Sequence, residues 1–215
     1  MNKPIQSAFG LLPLAFILGL CISADLAADQ GATFALKSPA VKGPAETGFD
    51  SGLKSIGRID AAFAAKPGEA GKHRSFPFSW SQLPAGTKAV ALILDDPDAR
   101  LVLASFGSKD LSFLHWIATD IDPEGGGLAD NASAAGKGLT QGKNGAGIIG
   151  YLGPQPPADI PKGLNKPLIH IYRLKVYALS APTGLAEGFS LADLEAAVKD
   201  KTLAVAQFNF SFSNK

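Results

Sequence analysis

AVALIL, residues Ala89–Leu94, followed at once by DDPDAR, residues Asp95–Arg100, is the stretch that decides the fold. Six consecutive apolar residues have the length of a strand, and the lack of alternation predicts that both faces of that strand are buried. The strand ends at an acidic turn that contains a proline. The carboxylates of Asp95, Asp96 and Asp98 are therefore expected at the end of a central strand.

Two further strand patterns carry histidines. The alternation across Phe113–Ile121 predicts that His115 shares one face with Ile117, Thr119 and Ile121, while Trp116 and Ala118 occupy the other. Leu168–Leu179 is the longest strand candidate, and its alternation places His170 and Tyr172 on the same face.

The remaining patterns indicate a mostly β protein with few, peripheral helices. The segment 32–74 is rich in Gly, Ala and Pro and favours loops and short edge strands. Ser190–Asp193 is typical of a capping box that opens a helix with Leu191, Leu194 and Val198 at helical spacing. Phe208, Phe210 and Phe212 alternate with polar residues, which predicts a half-buried strand rather than an aromatic binding surface.

A glycine-rich segment, Gly136–Gly147, is expected to lack regular structure and to form a long, mobile connection. It is not a phosphate-binding loop of the P-loop type. Three residues, rather than four, separate Gly138 from Gly142, and Asn144 stands where that motif has a hydroxyl residue.

The first 28 residues have the pattern of a secretory signal. Lys3 precedes an apolar run, Leu11–Ile22, that is short for a membrane span, and small residues follow it. We expect cleavage between residues 23 and 28, which leaves one domain over residues 29–215 and a periplasmic or secreted protein of bacterial type. An uncleaved anchor and lipid attachment at Cys21 are the alternatives, although the bulky Leu20 disfavours lipid attachment.

Charge and cysteine content exclude several classes of protein. The formal net charge is +1, and Cys21 is the single cysteine. Removal of the signal would leave no thiol, so disulfides and cysteine-based metal sites are excluded. It would also leave a net charge of about zero without a basic cluster, which argues against nucleic acid as a partner. The mature protein is not expected to be an integral membrane protein.

Four short motifs, in this order, resemble the phosphatidylethanolamine-binding protein family, in particular its bacterial Raf-kinase-inhibitor-like branch. They are DPDA at Asp96–Ala99, HW at His115–Trp116, GP-x-PP at Gly153–Pro157 and H-x-Y at His170–Tyr172. Each motif is weak alone, but together they are specific, and the similarity extends from Ser38 to about Leu179. The resemblance implies a β-sandwich with a central antiparallel sheet and few peripheral helices.

The resemblance also implies a small anion pocket. Its ligand-binding residues would be Asp96, Asp98, His115, Gly153, Pro157, His170 and Tyr172, with Arg100 and Gln155 at the pocket edge. Asp96 would orient one imidazole and favour its protonated form, and both imidazoles would donate to a phosphate or carboxylate oxygen. For Asp98, a role in shaping the turn is the alternative. His73, in a polar run, is expected to be exposed.

The expected function is that of an exported, non-catalytic protein without a cofactor that binds phosphate-type anions or phospholipid head groups. One alternative is an inhibitor of a protease or another protein partner, which would present the loops after Ser105 and around Gly136–Gly147. Another is a metal-dependent or acid–base hydrolase, because Asp96, His115 and His170 have a two-histidine, one-carboxylate composition. No activated serine or cysteine nucleophile is apparent.

Three departures from the family pattern bear on ligand preference. Arg100 follows DPDA where the family usually has proline, and it could add a fixed positive charge at the pocket edge. Ile171 replaces an arginine that is common in the family. The segment between Pro157 and His170 is longer than usual.

Overall fold

A seven-stranded sheet dominates the fold. The structure is a computed structural model that describes residues 33–66, 73–105, 107–109, 111–156 and 168–214. In spatial order, the larger sheet contains β2 (Val41–Lys42), β3 (Arg58–Ile59), β10 (Thr202–Phe212), β9 (His170–Leu179), β5 (Ala89–Asp96), β6 (Phe113–Ile121) and β8 (Thr140–Gln141). Neighbouring strands are antiparallel except for the short β3–β10 pair, which is parallel.

The central position belongs to β5, as its apolar run predicts. All eight residues of β5 are buried, and the strand lies between β9 and β6. It continues past the apolar run through Asp95 and Asp96, which pair with Leu114 and Phe113 of β6. The acidic side chains therefore start at the end of the most enclosed strand of the molecule.

A second, three-stranded sheet covers one face of the larger one. It contains β1 (Ala35–Lys37), β4 (Phe78–Ser81) and β7 (Gly127–Leu128) in the order β1-β4-β7. Between the two sheets lies a core rich in aromatic side chains, among them Phe78, Trp80, Trp116, Tyr172, Phe208, Phe210 and Phe212. The predicted mostly β sandwich is confirmed, and the alternating phenylalanines of β10 are core residues.

The other face of the larger sheet packs against α3 (Leu191–Val198). The predicted capping box is present, because the Ser190 hydroxyl accepts from the Asp193 amide while the Asp193 carboxylate accepts from the Ser190 amide. Leu194 and Val198 are buried against Ala91 and Ile93 of β5. This helix buries the second face of the central strand.

The other helices are short and peripheral. α1 spans Arg100–Ser105 and α2 spans Ala132–Ala135. Single 3-10 turns occupy Ala61–Phe63, Pro97–Ala99 and Pro123–Gly125. Within the described ranges, no helix has both the length and the apolar character needed to cross a bilayer. The predicted signal segment lies outside the described residues.

The glycine-rich segment contains regular structure, contrary to our expectation. Thr140 and Gln141 form β8, which pairs with Thr119 and Ala118 of β6. The buried Gln141 side chain accepts from Trp116 Nε1 at 2.9 Å and donates to the Ser133 carbonyl at 3.0 Å. Hydrogen bonds to the core therefore hold a segment that composition alone indicates to be a free loop. A second correction concerns strand length, since β10, with 11 residues, is longer than β9, with 10.

Two register shifts interrupt β6 and change which face its side chains occupy. Leu94 pairs with Trp116 and Asp95 with Leu114, so His115 is an extra residue on its strand. A second shift lies between Val90 and Leu92. The predicted common face of His115, Ile117, Thr119 and Ile121 is therefore wrong. Ile117 packs on the α3 side, whereas His115 contacts Tyr172 on the aromatic side.

Candidate functional site

The end of β5 fixes the Asp96 carboxylate. Asp96 caps the 3-10 turn Pro97–Ala99, and its Oδ1 accepts from the Ala99 amide at 3.1 Å. Proline is favoured at the first position of such a turn because it has no amide hydrogen to satisfy. The turn runs directly into α1. Asp96 is 3% exposed, and its Oδ2 faces away from the cap, toward two histidines.

His170 and Tyr172 project from the same face of β9 toward Asp96. His170 Nδ1 donates to Asp96 Oδ2 at 2.8 Å, because a carboxylate can only accept. Nδ1 therefore carries a hydrogen, and Nε2 is the ring nitrogen that Asp96 does not bind. That Nε2 and the Tyr172 hydroxyl are both buried, and neither has a hydrogen-bond partner among the described residues.

The Tyr172 hydroxyl stays protonated in this setting. Burial raises the pKa of the Tyr172 phenol well above its usual value, and the nearby Asp96 carboxylate raises it further. The described residues make no hydrogen bond of good geometry to the hydroxyl, although Asp96 and the backbone of Gln155 lie nearby, so the phenol is an available donor. Most buried polar atoms in proteins are hydrogen-bonded, so the two unpartnered atoms, on His170 and Tyr172, require an explanation.

His115 completes this group of side chains from β6, the strand next to β5. Its Nδ1 donates to the Leu152 carbonyl at 2.8 Å, and its Nε2 lies 4.0 Å from Asp96 Oδ2. Burial lowers the pKa of the His115 imidazole, and this effect outweighs the opposing attraction of Asp96. The ring is therefore neutral at pH 7. Its edge packs against Tyr172, with the ring centroids 5.0 Å apart.

The Gly150–Pro156 segment forms a rim held from both sides. The Leu152 amide donates to the His115 carbonyl at 2.9 Å, and the Ala65 amide donates to the Pro154 carbonyl at 2.9 Å. A Cβ atom on Gly153 would lie 2.5 Å from the Ala65 nitrogen and 2.6 Å from the Phe63 oxygen. Only glycine permits this approach of two backbones.

His73 supports the rim and is not exposed, contrary to our expectation. It is buried, and its Nδ1 accepts from the Gly153 amide at 3.2 Å. The prediction was wrong because the polar sequence neighbours of His73 gave no indication of this contact with a residue 80 positions later.

These elements enclose one cavity of about 260 Å³. It is lined by Asp96, Ala99, Val102, Leu103, Phe113, His115, Leu152, Gly153, Gln155, Pro156, His170 and Tyr172. The buried polar members come from the ends of β5, β6 and β9, and α1 and Leu152 contribute much of the apolar wall. The buried acid, the two imidazoles and the phenol thus face a shared space.

Comparison with known proteins agrees with the motifs. The family model described as phosphatidylethanolamine-binding protein matches residues 53–213, about three quarters of the chain. The chain belongs to the phosphatidylethanolamine-binding protein family.

Two relatives show the extent of the sequence similarity. A UPF0098 protein of Methanothermobacter thermautotrophicus is 32% identical over 154 residues, which cover 70% of this chain and 87% of that protein. The Mycobacterium tuberculosis protein named lipoprotein LppC is 39% identical over 108 residues, which cover 50% of this chain and 46% of LppC.

Two crystal structures share the fold. The phosphatidylethanolamine-binding protein homologue CT736 of Chlamydia trachomatis has a TM-score of 0.62 at 27% identity, covering 83% of this chain and 96% of CT736. Escherichia coli YbcL has a TM-score of 0.63 at 22% identity, covering 86% of this chain and all of YbcL.

The structure separates Asp98 from the cavity of this family member. The Asp98 carboxylate is completely buried and accepts from the amides of Asp50, Ser51 and Ile171 and from the Ser51 hydroxyl, at 2.6–2.9 Å. These bonds join an N-terminal loop to the start of β9. Asp98 does not line the cavity, and its bonds do not shape its own turn as the alternative interpretation expected; they hold the loop at Asp50 and Ser51 against β9.

Of the other expected site residues, some line the cavity and some do not. Gly153 and the exposed Gln155 line the cavity. Arg100 points elsewhere, since its guanidinium donates to both Asp50 carboxylate oxygens at 3.0 Å. Pro157 lies outside the described residues. The expectation of a fixed positive charge at the cavity edge is therefore not met by Arg100.

Within the described part of the chain, no group of three or more His, Cys, Asp or Glu side chains is arranged to hold a metal ion. Asp96, His115 and His170 do meet, but the His170 nitrogen nearest the carboxylate is used in a hydrogen bond to it. The third side chain of the group, His115, has its Nε2 4.0 Å from Asp96 Oδ2.

Sequence reasoning missed the apolar wall of the cavity. Val102 and Leu103 of α1, Phe113 of β6 and Leu152 of the rim all line it. A usable signal was present, because the apolar run Leu101–Leu103 directly follows the acidic turn. A short apolar helix next to candidate polar site residues indicates a wall rather than solvent.

Proposed function

We propose that this family member is an exported, non-catalytic protein that binds a phosphate-type anion or a phospholipid head group in the cavity. One observation carries the proposal. His170 Nε2 and the Tyr172 hydroxyl are buried, have no hydrogen-bond partner among the described residues, and belong to side chains that line the cavity. An oxyanion would accept from the Tyr172 hydroxyl, and from His170 Nε2 when the ring carries a hydrogen on both nitrogens.

Asp96 makes His170 suitable for this role. The carboxylate accepts from Nδ1 and so directs Nε2 toward the cavity, where Nε2 donates to an anion when the ring carries a hydrogen on both nitrogens. The Asp96–His170 pair is then neutral as a whole, and the donor that faces the cavity is charge-assisted. The carboxylate is paired with the ring, so the anion meets the N–H rather than an isolated negative charge.

His115 adds a second imidazole that responds to the ligand. Its Nδ1 is committed to Leu152, so only Nε2 is available. A bound anion would favour the protonated ring and offset the burial that keeps it neutral. Anion binding should therefore be accompanied by proton uptake near neutral pH.

Calorimetric titration with inorganic phosphate and phosphorylethanolamine tests the proposal. We expect saturable binding to the wild type and at least tenfold weaker binding to His170→Gln. Lys175→Gln, on the opposite face of β9, is the matched control and should bind as the wild type does. Absence of binding of either compound to the folded wild type would refute the proposal.

Export follows from the signal pattern and is supported by the name of LppC, a lipoprotein relative. We expect residues 1–28 to be a leader cleaved between residues 23 and 28, ahead of one domain over residues 29–215. Expression of the full chain in a bacterial host, fractionation and mass measurement of the mature N-terminus test this. Retention of an intact N-terminus in the cytoplasm would contradict it, and a lipid-modified Cys21 would identify the lipoprotein alternative.

A further inference from the structure

Strand β10 leaves part of one edge of the larger sheet unpaired. β9 borders β10 along its whole length on one side, whereas β3 reaches it on the other side only near Ser211. There the Ser211 amide donates to the Gly57 carbonyl, and the Ile56 amide donates to the Asn209 carbonyl, both at 2.9 Å. No other described strand pairs with β10. The part of β10 before Asn209 is therefore an open edge.

Val205 and Gln207 direct their backbone groups to this open edge. In an antiparallel ladder a residue points its N–H and its C=O to the same side, and the side alternates from one residue to the next. The pairing with β9 is unbroken from Ala204 onward, and Asn209 and Ser211 bond on the β3 side. Val205 and Gln207 therefore face that side too. Their backbone amides and carbonyls have no hydrogen-bond partner there among the described residues.

The composition of the open edge does not discourage pairing with a second chain. Edge strands are usually protected by a lysine, another charged residue or a proline. β10 has the sequence TLAVAQFNFSF, which contains neither a charge nor a proline. Val205 is 49% exposed, and Leu203 is 44% exposed. An exposed, uncharged and partly apolar edge is a surface to which another strand can be added.

The opposite edge of the same sheet is closed by the chain itself. Its last strand, β8, is only two residues long. The Gln141 amide of β8 donates to the Glu187 carboxylate, and the Gln141 carbonyl accepts from the Gly188 amide, each at 2.7 Å. The fold thus covers the edge at β8 but leaves the one at β10 uncovered.

We propose that two copies of this chain pair antiparallel through the open edge of β10, about a twofold axis at Ala206. Val205 of each copy then lies opposite Gln207 of the partner subunit, and the two pairs exchange four backbone hydrogen bonds. No like charges meet on the paired strands, because β10 carries no charge. The exposed Val205 side chains lie next to each other across the axis.

A second copy fits this edge better than a strand of another protein. Twofold pairing uses the same segment in both molecules, so it leaves neither copy with an open edge. A strand from a different protein would leave the edge exposed in every molecule that lacks that partner. The pairing also leaves the cavity accessible, because His170 pairs with Phe212 at the other end of β10.

Sedimentation equilibrium of the purified protein over a range of concentrations tests the proposal. The mass of the wild type should rise with concentration toward twice that of a single chain. A wild type that stays monomeric at every concentration would overturn the proposal, even if the edge then bound a strand of another protein.

A charge exchange at Val205 tests the twofold axis. Val205→Lys and Val205→Glu should each be monomeric at concentrations where the wild type is dimeric, because the axis brings two like charges together. A mixture of the two variants should regain the dimer. Ile149→Lys is the matched control, since Ile149 is 44% exposed and forms its bridge with Lys143, away from β10, so this variant should dimerise as the wild type does.

Val205→Pro tests the backbone bonds separately from the side chain. Proline removes an amide hydrogen that has no partner in the monomer, and edge strands tolerate it, so the urea unfolding of the monomer should change little. The dimer should be lost. Val205→Thr keeps the amide and should dimerise as the wild type does. A dimer that survives both Val205→Pro and Val205→Lys would overturn the proposal, because the contact would then lie on another surface.

Discussion

Asp96 and His170, which are 74 positions apart in the chain, are joined by a hydrogen bond of 2.8 Å between Asp96 Oδ2 and His170 Nδ1. Both side chains are almost completely buried. The bond leaves His170 Nε2 without a partner among the described residues, at a cavity also lined by His115 and Tyr172. The bond connects the turn after β5 to the start of β9, so it organises both the fold and the proposed site.

Asp96→Asn should affect both stability and binding. An asparagine can still cap the turn at Ala99, but it cannot supply the charge that His170 faces. We expect the free energy of unfolding to fall by about 2 kcal/mol and phosphate binding to be lost, by urea titration and calorimetry. Asp60→Asn, at an exposed turn capped through the Ala62 amide, is the control and should change neither measurably. An Asp96→Asn protein with unchanged phosphate affinity would exclude Asp96 from the site.

Asp98→Ala should separate structure from binding. The substitution removes an acceptor of four hydrogen bonds at the centre of the turn, which predicts a loss of about 3 kcal/mol or more in unfolding free energy. The fraction that remains folded at low temperature should bind phosphate with the affinity of the wild type. A stable Asp98→Ala protein that has lost phosphate binding would place Asp98 in the site after all.

Tyr172→Phe should leave the ligand-free protein as stable as the wild type or more stable by up to about 1 kcal/mol, because it removes a buried hydroxyl that has no hydrogen-bond partner among the described residues. Phosphate binding should weaken at the same time. Tyr151→Phe is the matched control. The Tyr151 hydroxyl donates to the Phe63 carbonyl at 2.8 Å, so its removal should lower the unfolding free energy by about 1 kcal/mol and leave binding intact.

Thermal unfolding and calorimetry of these two tyrosine variants measure both quantities. Removal of the hydroxyl should lower the unfolding free energy at Tyr151 and leave it unchanged or raise it at Tyr172. Equal destabilisation by Tyr172→Phe and Tyr151→Phe would mean that Tyr172 is an ordinary structural hydroxyl.

Stability should depend on pH through His115. Burial lowers the pKa of its imidazole in the folded protein below the ordinary value of 6.5. The unfolded chain therefore takes up a proton near pH 6.5, before the folded protein does, and stability falls as the pH drops from there toward the folded-state pKa. The slope can reach about 1.4 kcal/mol per pH unit for one group.

The measurement is urea unfolding of the wild type and His115→Asn between about pH 5 and pH 8. Asparagine keeps a donor for the Leu152 carbonyl but does not titrate. The variant should lose less stability than the wild type as the pH falls. Parallel curves for the two proteins would show that His115 is not the titrating group. Added phosphate should reduce the dependence in the wild type.

Gly153→Ala should disrupt the rim. The new methyl group would lie within 2.5–2.7 Å of backbone atoms of Phe63, Ala64 and Ala65, which are not flexible side-chain ends. We expect destabilisation of about 1–3 kcal/mol and weaker binding of phosphate, measured by urea unfolding and calorimetry. Gly125→Ala is the control, because a Cβ atom there meets nothing within 4 Å. Equal behaviour of the two variants would contradict the close approach at Gly153.

The sequence by itself determined those strands and helices whose pattern of buried and exposed residues is regular. The apolar run of β5, the alternation of β9 and β10 and the capping box of α3 all appear in the structure as predicted. These patterns are informative because each side chain is either buried or exposed by the period of its own element. The family motifs added Asp96, His115 and His170, and the structure brings these three side chains together.

Only the tertiary structure decided which side chains face the cavity. His115 turns toward Tyr172 because a register shift in β6 reverses the local alternation, and the shift depends on pairing with β5. Asp98 leaves the cavity because Asp50, Ser51 and Ile171 offer it donors from distant segments. The apolar wall formed by α1 is likewise defined by what lies opposite it. Such features depend on contacts between residues far apart in the chain, and the local sequence carries no periodic signal for them.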